Sequence, residues 1–142
     1  MTIARIIEGR HAAILTCDVS NSVREAIALL AERRIGALPV LEAGKVAGIF
    51  SERDVIYKLQ EQGPGVLDRQ VGDVMTAPAV TVDPETEALA ALSLMTKRRI
   101  RHLPVMEGGK MIDFVSIGDL VKYRIDQVES EAQAMRDYIQ TA

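Results

Sequence analysis

The sequence of 142 residues contains one cysteine, two histidines and no tryptophan. The single cysteine, Cys17, excludes an internal disulfide and is typical of a reducing compartment. So few cysteines and histidines cannot supply a zinc site of the usual spacing. Three tyrosines, two phenylalanines and a net charge of −3 leave little to stack on bases or to attract phosphate backbones. A nucleic-acid partner is therefore not expected.

Long apolar runs are also missing. No stretch approaches the ~20 apolar residues that a membrane-spanning helix needs, and Arg5 and Glu8 stand where a signal peptide would carry its apolar core. The composition, 48% hydrophobic and 26% charged, is that of an ordinary globular chain. We expect a soluble protein of the cytoplasm, with no membrane segment.

The most informative feature is an internal repeat. When the sequence is shifted by 65 residues, positions 15–57 agree with positions 80–122 at 15 of 43 places. The matched positions include Thr16 and Thr81, Leu38-Pro39-Val40 and Leu103-Pro104-Val105, Ser51 and Ser116, and Asp54 and Asp119. The chain is therefore predicted to be a tandem of two similar units.

Each unit has the same order of predicted elements. A short β-type run, Ala13–Thr16 or Ala79–Val82, precedes a helix with apolar residues at helical spacing. The helix is expected to start at Asn21/Ser22 with Glu25, and at Asp83-Pro84 in the second unit. A two-stranded hairpin follows, and the last helix opens at Ser51 or Ser116. This β-α-β-β-α order predicts an α+β fold, in which the two units pack on each other with pseudo-two-fold symmetry.

The predicted domains are residues 1–62 and 71–124, joined by a linker at 63–70 and followed by a C-terminal helix at 125–142. Six residues of this tail repeat at alternating spacings of four and three, as in the a/d stripe of a coiled coil: Val121, Ile125, Val128, Ala132, Met135 and Ile139. The stripe either packs back on its own chain or contacts a second copy. We favour a homodimer, since small duplicated modules commonly use a two-fold partner.

Two features could bind a ligand. At the strand-to-helix corners, Ser51 with Asp54 and Ser116 with Asp119 combine a hydroxyl, a carboxylate and free backbone N–H groups. A carboxylate can accept hydrogen bonds from the two hydroxyls of a ribose, although Ser-x-x-Asp is also an ordinary helix cap. The second feature is the basic run 97–102. Its arginines Arg98 and Arg99, like Arg33 and Arg34, are explained as cations at helix C-termini. Arg101 and His102 lie beyond the helix, and a phosphate is their simplest partner.

The sequence shows no catalytic machinery. The Gly-Lys pairs at 44–45 and 109–110 lack the glycines and the Ser/Thr of a phosphate-binding loop and are predicted to be hairpin turns. No paired nucleophile and base can be identified. We therefore expect neither catalytic nor metal-binding residues.

Taken together, the Thr-x-Asp entry, the Arg-Ile-x-x-Leu-Pro-Val strand and the strand–helix junction ending in Ser-x-x-Asp resemble the CBS (cystathionine β-synthase) domain. Two copies resemble a Bateman module, and the resemblance covers roughly residues 3–124. The C-terminal helix resembles an extension of small stand-alone bacterial members.

The resemblance implies regulatory binding of an adenosine nucleotide, AMP first and then NAD(H) or ATP, between paired domains. It also implies dimers. The implied ligand-binding positions are as follows: Asp54 and Asp119 at ribose hydroxyls, Ser51 and Ser116 at ribose or phosphate, Thr16 and Thr81 at adenine, Arg101 and His102 at phosphate, and Ala37 as the counterpart of His102.

Two departures from the family pattern predict unequal clefts. The first unit has Gly36-Ala37 where the second has Arg101-His102. The second unit has Asp113 where the first has Gly48, and this extra carboxylate is unhelpful beside an anionic ligand. The hypothesis is a nucleotide sensor that signals to an unknown partner protein. A ligand-free dimerisation module and a nucleic-acid-binding regulator are the alternatives.

Overall fold

The computed structural model describes residues 1–10 and 12–141, so that His11 and Ala142 lie outside the described residues. The first unit contains β1 (Cys17–Asp18), α2 (Val23–Arg33), β2 (Ala37–Glu42), β3 (Lys45–Ser51) and α3 (Glu52–Gln62). The second contains α5 (Ala88–Arg98), β4 (His102–Glu107), β5 (Lys110–Ser116) and α6 (Ile117–Thr141). The short helix α1 (Ile3–Ile7) comes before them, and a 3₁₀ helix (Pro64–Asp68) and α4 (Val71–Val74) lie between them.

The two hairpins are built alike, which confirms the predicted pairing and the α+β fold. Strands β2 and β3 are antiparallel, as are β4 and β5. Both ladders shift register at the same place in the repeat, between Val40 and Leu41 and between Val105 and Met106. Each hairpin turns through two residues with positive φ, a geometry whose twist suits a two-residue connection.

The first strand of each unit was predicted wrongly. Residues 13–16 form no strand, and β1 instead pairs Cys17 and Asp18 in parallel with the centre of β2. In the second unit a single bridge joins Val82 to Val105. The pairing stops early because an aspartate at or just after the last paired residue bends the chain. Asp18 accepts hydrogen bonds from the backbone and hydroxyl of Ser20, and Asp83 accepts one from the backbone of Glu85.

The helix starts differ between the units. Helix α2 begins with the predicted capping box, in which Ser22 and Glu25 exchange hydrogen bonds. The start predicted at Asp83-Pro84 is wrong, because α5 begins only at Ala88. Asp83 holds a turn through Thr86 instead.

Two hydrophobic clusters form the core, one in each unit. The segment before the first unit packs into the second cluster, and the segment before the second unit packs into the first. Ile3 of α1 is fully buried in the cluster of the second unit. Val66, Val71 and Val74 are buried in the cluster of the first unit. Burying these side chains stabilises the contact between the units, at ~25 cal/mol per Å² of apolar surface. The segment predicted as a linker, 63–70, is therefore partly packed, while the domain boundaries stay a prediction.

Helix α6 runs without a break from the Ser116 corner to Thr141, so the second unit and the tail share one helix. Leu120 is fully buried, whereas the described residues from Val128 onward are all exposed. The interpretation that the stripe packs back on its own chain is therefore wrong for this half of the helix. No helix among residues 1–10 and 12–141 is long and apolar enough to cross a membrane.

The hairpin turns offer a matched test of backbone strain. Ala43 adopts φ 51° in the first turn, where the second has Gly108 at φ 59°. Ala43→Gly should raise the free energy of unfolding by about 0.5–1 kcal/mol. A residue with a Cβ pays ~1–2 kcal/mol of strain in the left-handed conformation, and the larger conformational entropy that glycine loses on folding offsets part of the gain. Gly108→Ala should lower the free energy of unfolding by a similar amount. Urea unfolding measures both changes in the free energy of unfolding. Changes of the same sign in the two variants would contradict this account.

Candidate functional site

A cavity of about 510 Å³ lies between the two units. Its volume falls within the ~300–1,000 Å³ range of small-molecule sites. The first unit contributes Ala37, Ser51 and Asp54, and the second contributes the end of α5 and the start of β4 and α6. The connecting backbone from Pro78 to Val80 lines a further side. A molecule in this cavity would therefore contact both units at once.

The first strand-to-helix corner places a carboxylate at the cavity wall. Oδ2 of Asp54 accepts hydrogen bonds from the backbone N–H of Ser51 at 2.9 Å and from its hydroxyl at 3.2 Å. Oδ1 accepts one from the hydroxyl of Thr76 at 2.9 Å. Ser51 and Asp54 thus form a complete capping box for α3. The cap fixes the carboxylate, and the remaining lone pair of Oδ1 can accept a donor from a ligand.

The N-terminus of α3 offers fewer free donors than predicted. The backbone N–H of Glu52 donates to the carbonyl of Gly36 at 3.0 Å, and that of Asp54 donates to the Ser51 hydroxyl. The equivalent N–H of Ile117 donates to the carbonyl of Arg101 at 2.8 Å. These bonds tie each last helix to the chain before its hairpin, so a phosphate must find its main donors elsewhere.

The second corner has the same cap and a different neighbour. The backbone N–H of Ser116 donates to Oδ2 of Asp119 at 2.9 Å, and that of Asp119 donates to the Ser116 hydroxyl at 3.1 Å. The guanidinium of Arg10 lies 3.2 Å from the same Oδ2 and 3.1 Å from Oδ1 of Asp113. Asp119 is therefore already paired with a cation of its own chain.

One exchange within the repeat explains this difference. A Cβ added to Gly48 would lie 2.6 Å from the carbonyl oxygen of Thr76 and 2.8 Å from Sδ of Met75, so only glycine fits there. The 65-residue shift aligns Gly48 with Asp113 and Met75 with Arg10. Where one unit has a glycine beside a methionine, the other unit therefore has an aspartate paired with an arginine. The aspartate predicted to repel an anion is instead paired with Arg10, which it shares with Asp119.

Three arginines line the cavity on the side of the second unit: Arg98, Arg99 and Arg101. All three are exposed, and within residues 1–10 and 12–141 none of them lies within 4.0 Å of a carboxylate. Arg99 also ends α5 in the left-handed conformation, and its carbonyl accepts a hydrogen bond from Arg53 of the first unit at 2.7 Å. The cavity thus has a cluster of cations available to an anion.

His102 lies between the units with its ring stacked on Phe114, the centroids 5.3 Å apart. Burial lowers the pKa of His102 below its ordinary value, with Arg101 acting in the same direction and Asp119 and Glu52 opposing it. The lowered pKa favours the neutral form of His102, which offers a hydrogen bond more than a positive charge.

The cavity brings together six of the predicted ligand positions: Ala37, Ser51, Asp54, Arg101, His102 and Ser116. Thr16, Thr81 and Asp119 are not part of its lining. Thr76 and Arg10 were missed by the sequence analysis because both lie before the matched part of the repeat. Arg98 and Arg99 were explained by their helix end alone, yet they face the same cavity.

Comparison with known proteins agrees with this architecture. The CBS domain family matches residues 11–61 and 71–126. The chain is 40% identical over 131 residues to the mitochondrial CBS domain-containing protein CBSX3 of Arabidopsis thaliana, covering 89% of the chain and 64% of that relative. The chain thus spans less than two thirds of CBSX3.

Solved structures have the same fold. A CBS-domain protein from Burkholderia ambifaria superposes with a TM-score of 0.83 at 40% identity, covering 89% of this chain and 95% of that one. CBSX2, solved in complex with AMP, superposes with a TM-score of 0.74 at 27% identity, covering 90% and 98%. The chain therefore belongs to the CBS domain family and carries a pair of these domains.

The environment of His102 predicts a pH-dependent stability. Because burial depresses its pKa in the folded state, the unfolded chain binds more protons below about pH 6.5, and stability falls as the pH is lowered through this range. His102→Gln should remove this part of the acid loss, so the difference in stability between the two chains should become constant above about pH 7.5. Urea unfolding between about pH 5 and pH 8 measures the difference. A difference that does not change with pH would contradict the assignment.

Proposed function

We propose that the chain is a regulatory module that binds an adenosine phosphate in the cavity between its two CBS domains. AMP is the first candidate, followed by NAD(H) and ATP. The observation that supports this most directly is the juxtaposition of a capped carboxylate from one unit with arginines from the other that pair with no carboxylate in the part of the chain that the structure describes. The AMP complex of CBSX2 supports the same ligand class.

The ribose is assigned to the first corner. The Ser51 cap holds Asp54 in place, and Thr76 fixes the second carboxylate oxygen at 2.9 Å. Since each carboxylate oxygen can accept two hydrogen bonds, Oδ1 keeps room for one ribose hydroxyl beside the hydroxyl of Thr76. Oδ2 already accepts two hydrogen bonds from Ser51, so the second ribose hydroxyl would take the place of the Ser51 hydroxyl there. The hydroxyls of Ser51 and Ser116 also face the cavity and can complete the contact.

The phosphate is assigned to the arginines. Arg98, Arg99 and Arg101 are exposed at the cavity wall. An Arg–phosphate pair is a strong, charge-assisted contact. The lowered pKa of His102 favours its neutral form, which would contribute a ring N–H donor. The backbone of Pro78–Val80, rather than Thr81, is the surface that faces the adenine in this assignment.

The second corner is assigned as closed. Asp119 is held by Arg10, which also pairs with Asp113. A ribose at Asp119 would have to displace this guanidinium, and this costs affinity. One nucleotide per chain is therefore expected at ordinary concentrations.

Regulation would follow from the position of the cavity. A ligand that touches both units favours one relative packing of the units, and it can shift that equilibrium only by its difference in affinity for the two states. The surface presented to a partner protein would change with it. The identity of this partner and a cytoplasmic location remain predictions, and we infer a binding role rather than catalysis.

The two aspartates give a matched test. Asp54→Ala and Asp119→Ala each remove the aspartate that exchanges hydrogen bonds with the capping serine of one helix, so their structural costs should be similar. Asp54→Ala should weaken AMP binding by at least about tenfold, since a hydrogen bond to a charged group contributes ~1.5–3 kcal/mol, whereas Asp119→Ala should stay within about threefold of the wild type. Calorimetric titration with AMP, ATP, NAD(H) and S-adenosylmethionine measures both.

Each outcome has a clear meaning. An equal loss of affinity in the two variants would mean that the ribose is not bound at the first corner. If neither substitution weakens binding, neither carboxylate contacts the ligand. Circular dichroism and thermal unfolding of both variants establish that they are folded before binding is compared.

A ligand-free dimerisation module is the second candidate function. The observation that favours it is the completeness of the caps, because the hydrogen bonds of Ser51 and Asp54 account for both residues without a ligand. A nucleotide at about 100 times its dissociation constant should add ~2.7 kcal/mol of stability. No thermal stabilisation by any of the four nucleotides would favour this candidate over the sensor.

A further inference from the structure

Among residues 1–10 and 12–141, the second half of α6 has no packing partner. The helix has 25 residues, about 37 Å at 1.5 Å per residue. Its first turns pack on the second unit through Leu120 and Tyr123. From Val128 to Thr141 every described residue is exposed. An isolated helical segment of this length is only marginally stable in water, so its apolar face requires cover.

That face is a single stripe. Ile125 and Ile139 are 51% and 66% exposed, and Val128 and Met135 are 46% and 61% exposed. In a heptad, Ile125, Ala132 and Ile139 take the a positions, and Val121, Val128 and Met135 take the d positions. A stripe of apolar residues at a and d is the seam of a coiled coil.

The charged residues that flank the stripe carry information about the partner. Arg124 and Glu131 occupy g positions, and Glu129 and Arg136 occupy e positions. Among the described residues none of these four side chains forms an ion pair within 4.0 Å. Arg124 and Glu129 are five residues apart, as are Glu131 and Arg136. This spacing does not bring the two groups together on one helix, where neighbours are three or four apart.

Five is, however, the spacing of g-to-e′ pairs between two parallel helices. In a parallel, in-register dimer Arg124 would face Glu129 of the other copy, and Glu131 would face Arg136. Both contacts are attractive, and two-fold symmetry makes each of them twice. The flanking charges are thus complementary to a second copy of the same helix.

An antiparallel pair reverses this result. Alignment of all six a and d residues in that orientation places Glu129 against Glu129, Glu131 against Glu131 and Lys122 against Arg136. All three contacts join like charges, which disfavours the orientation.

We propose that two copies of this chain dimerise through a parallel, in-register coiled coil of α6, with residues 121–139 as the interface. Since α6 begins at the Ser116 corner, a parallel pair places the second CBS domains of the two copies beside each other. The dimer is then head to head. This inference stands on α6 alone and does not depend on nucleotide binding.

Charge reversal on the full-length chain tests the orientation. Arg136→Glu and Glu131→Arg should each raise the dimer dissociation constant by about tenfold, and the double variant should return to within about threefold of the wild type. Sedimentation equilibrium measures all four proteins. An antiparallel dimer would instead be strengthened by Arg136→Glu, because residue 136 would then oppose Lys122. That result, or a wild-type chain that stays monomeric, would overturn the proposal.

A cross-linking measurement tests the register independently. Val128→Cys places a thiol at a d position, where in-register parallel helices bring the two copies of residue 128 together, so oxidation should yield a covalent dimer. Ser130→Cys, at the outward f position, is the matched control and should remain uncross-linked. Burial raises the pKa of the Cys17 thiol to about 11, so the native cysteine does not compete. A dimer that cross-links equally through both positions, or through neither, would overturn the proposal.

Discussion

The reciprocal hydrogen bonds between a serine and an aspartate at each strand-to-helix corner fix the geometry on which the cavity depends. Ser51 and Asp54 hold the first turn of α3, and Ser116 and Asp119 hold the first turn of α6. A capped carboxylate has few rotamers left and keeps its position at the cavity wall. The same contacts stabilise the fold and prepare a site, so a cap and a ligand-binding group are not exclusive interpretations of these residues.

Duplication produced two corners, and a few substitutions made them unequal. Gly48 lies so close to the backbone of Thr76 that a Cβ at position 48 would be 2.6 Å from the carbonyl oxygen of Thr76. The equivalent Asp113 is paired with Arg10, which also engages Asp119. The first corner opens to a cavity whose arginines form no ion pair among the described residues, and the second carries its own counter-ion. This asymmetry is the physical basis for proposing one nucleotide per chain.

The repeat made much of the fold predictable, because hairpins and caps depend on short-range patterns that occur twice. The first strands were predicted at the wrong residues or too long, since only Cys17, Asp18 and Val82 pair with the hairpins. Part of the cavity lining was anticipated from the Ser-x-x-Asp corners and the basic run. Arg10 and Thr76 could not be anticipated, because their contacts join residues distant in sequence and neither lies in the matched part of the repeat. The preference of His102 for its neutral form depends on burial, which no local pattern reveals.

A crystal structure of the chain grown with saturating AMP would test the central claim most directly. The account predicts the ribose hydroxyls on Asp54, the phosphate among Arg98, Arg99 and Arg101, and Arg10 still bridging Asp113 and Asp119. AMP bound at Asp119 with Arg10 displaced, while the cavity beside Asp54 stays empty, would contradict it.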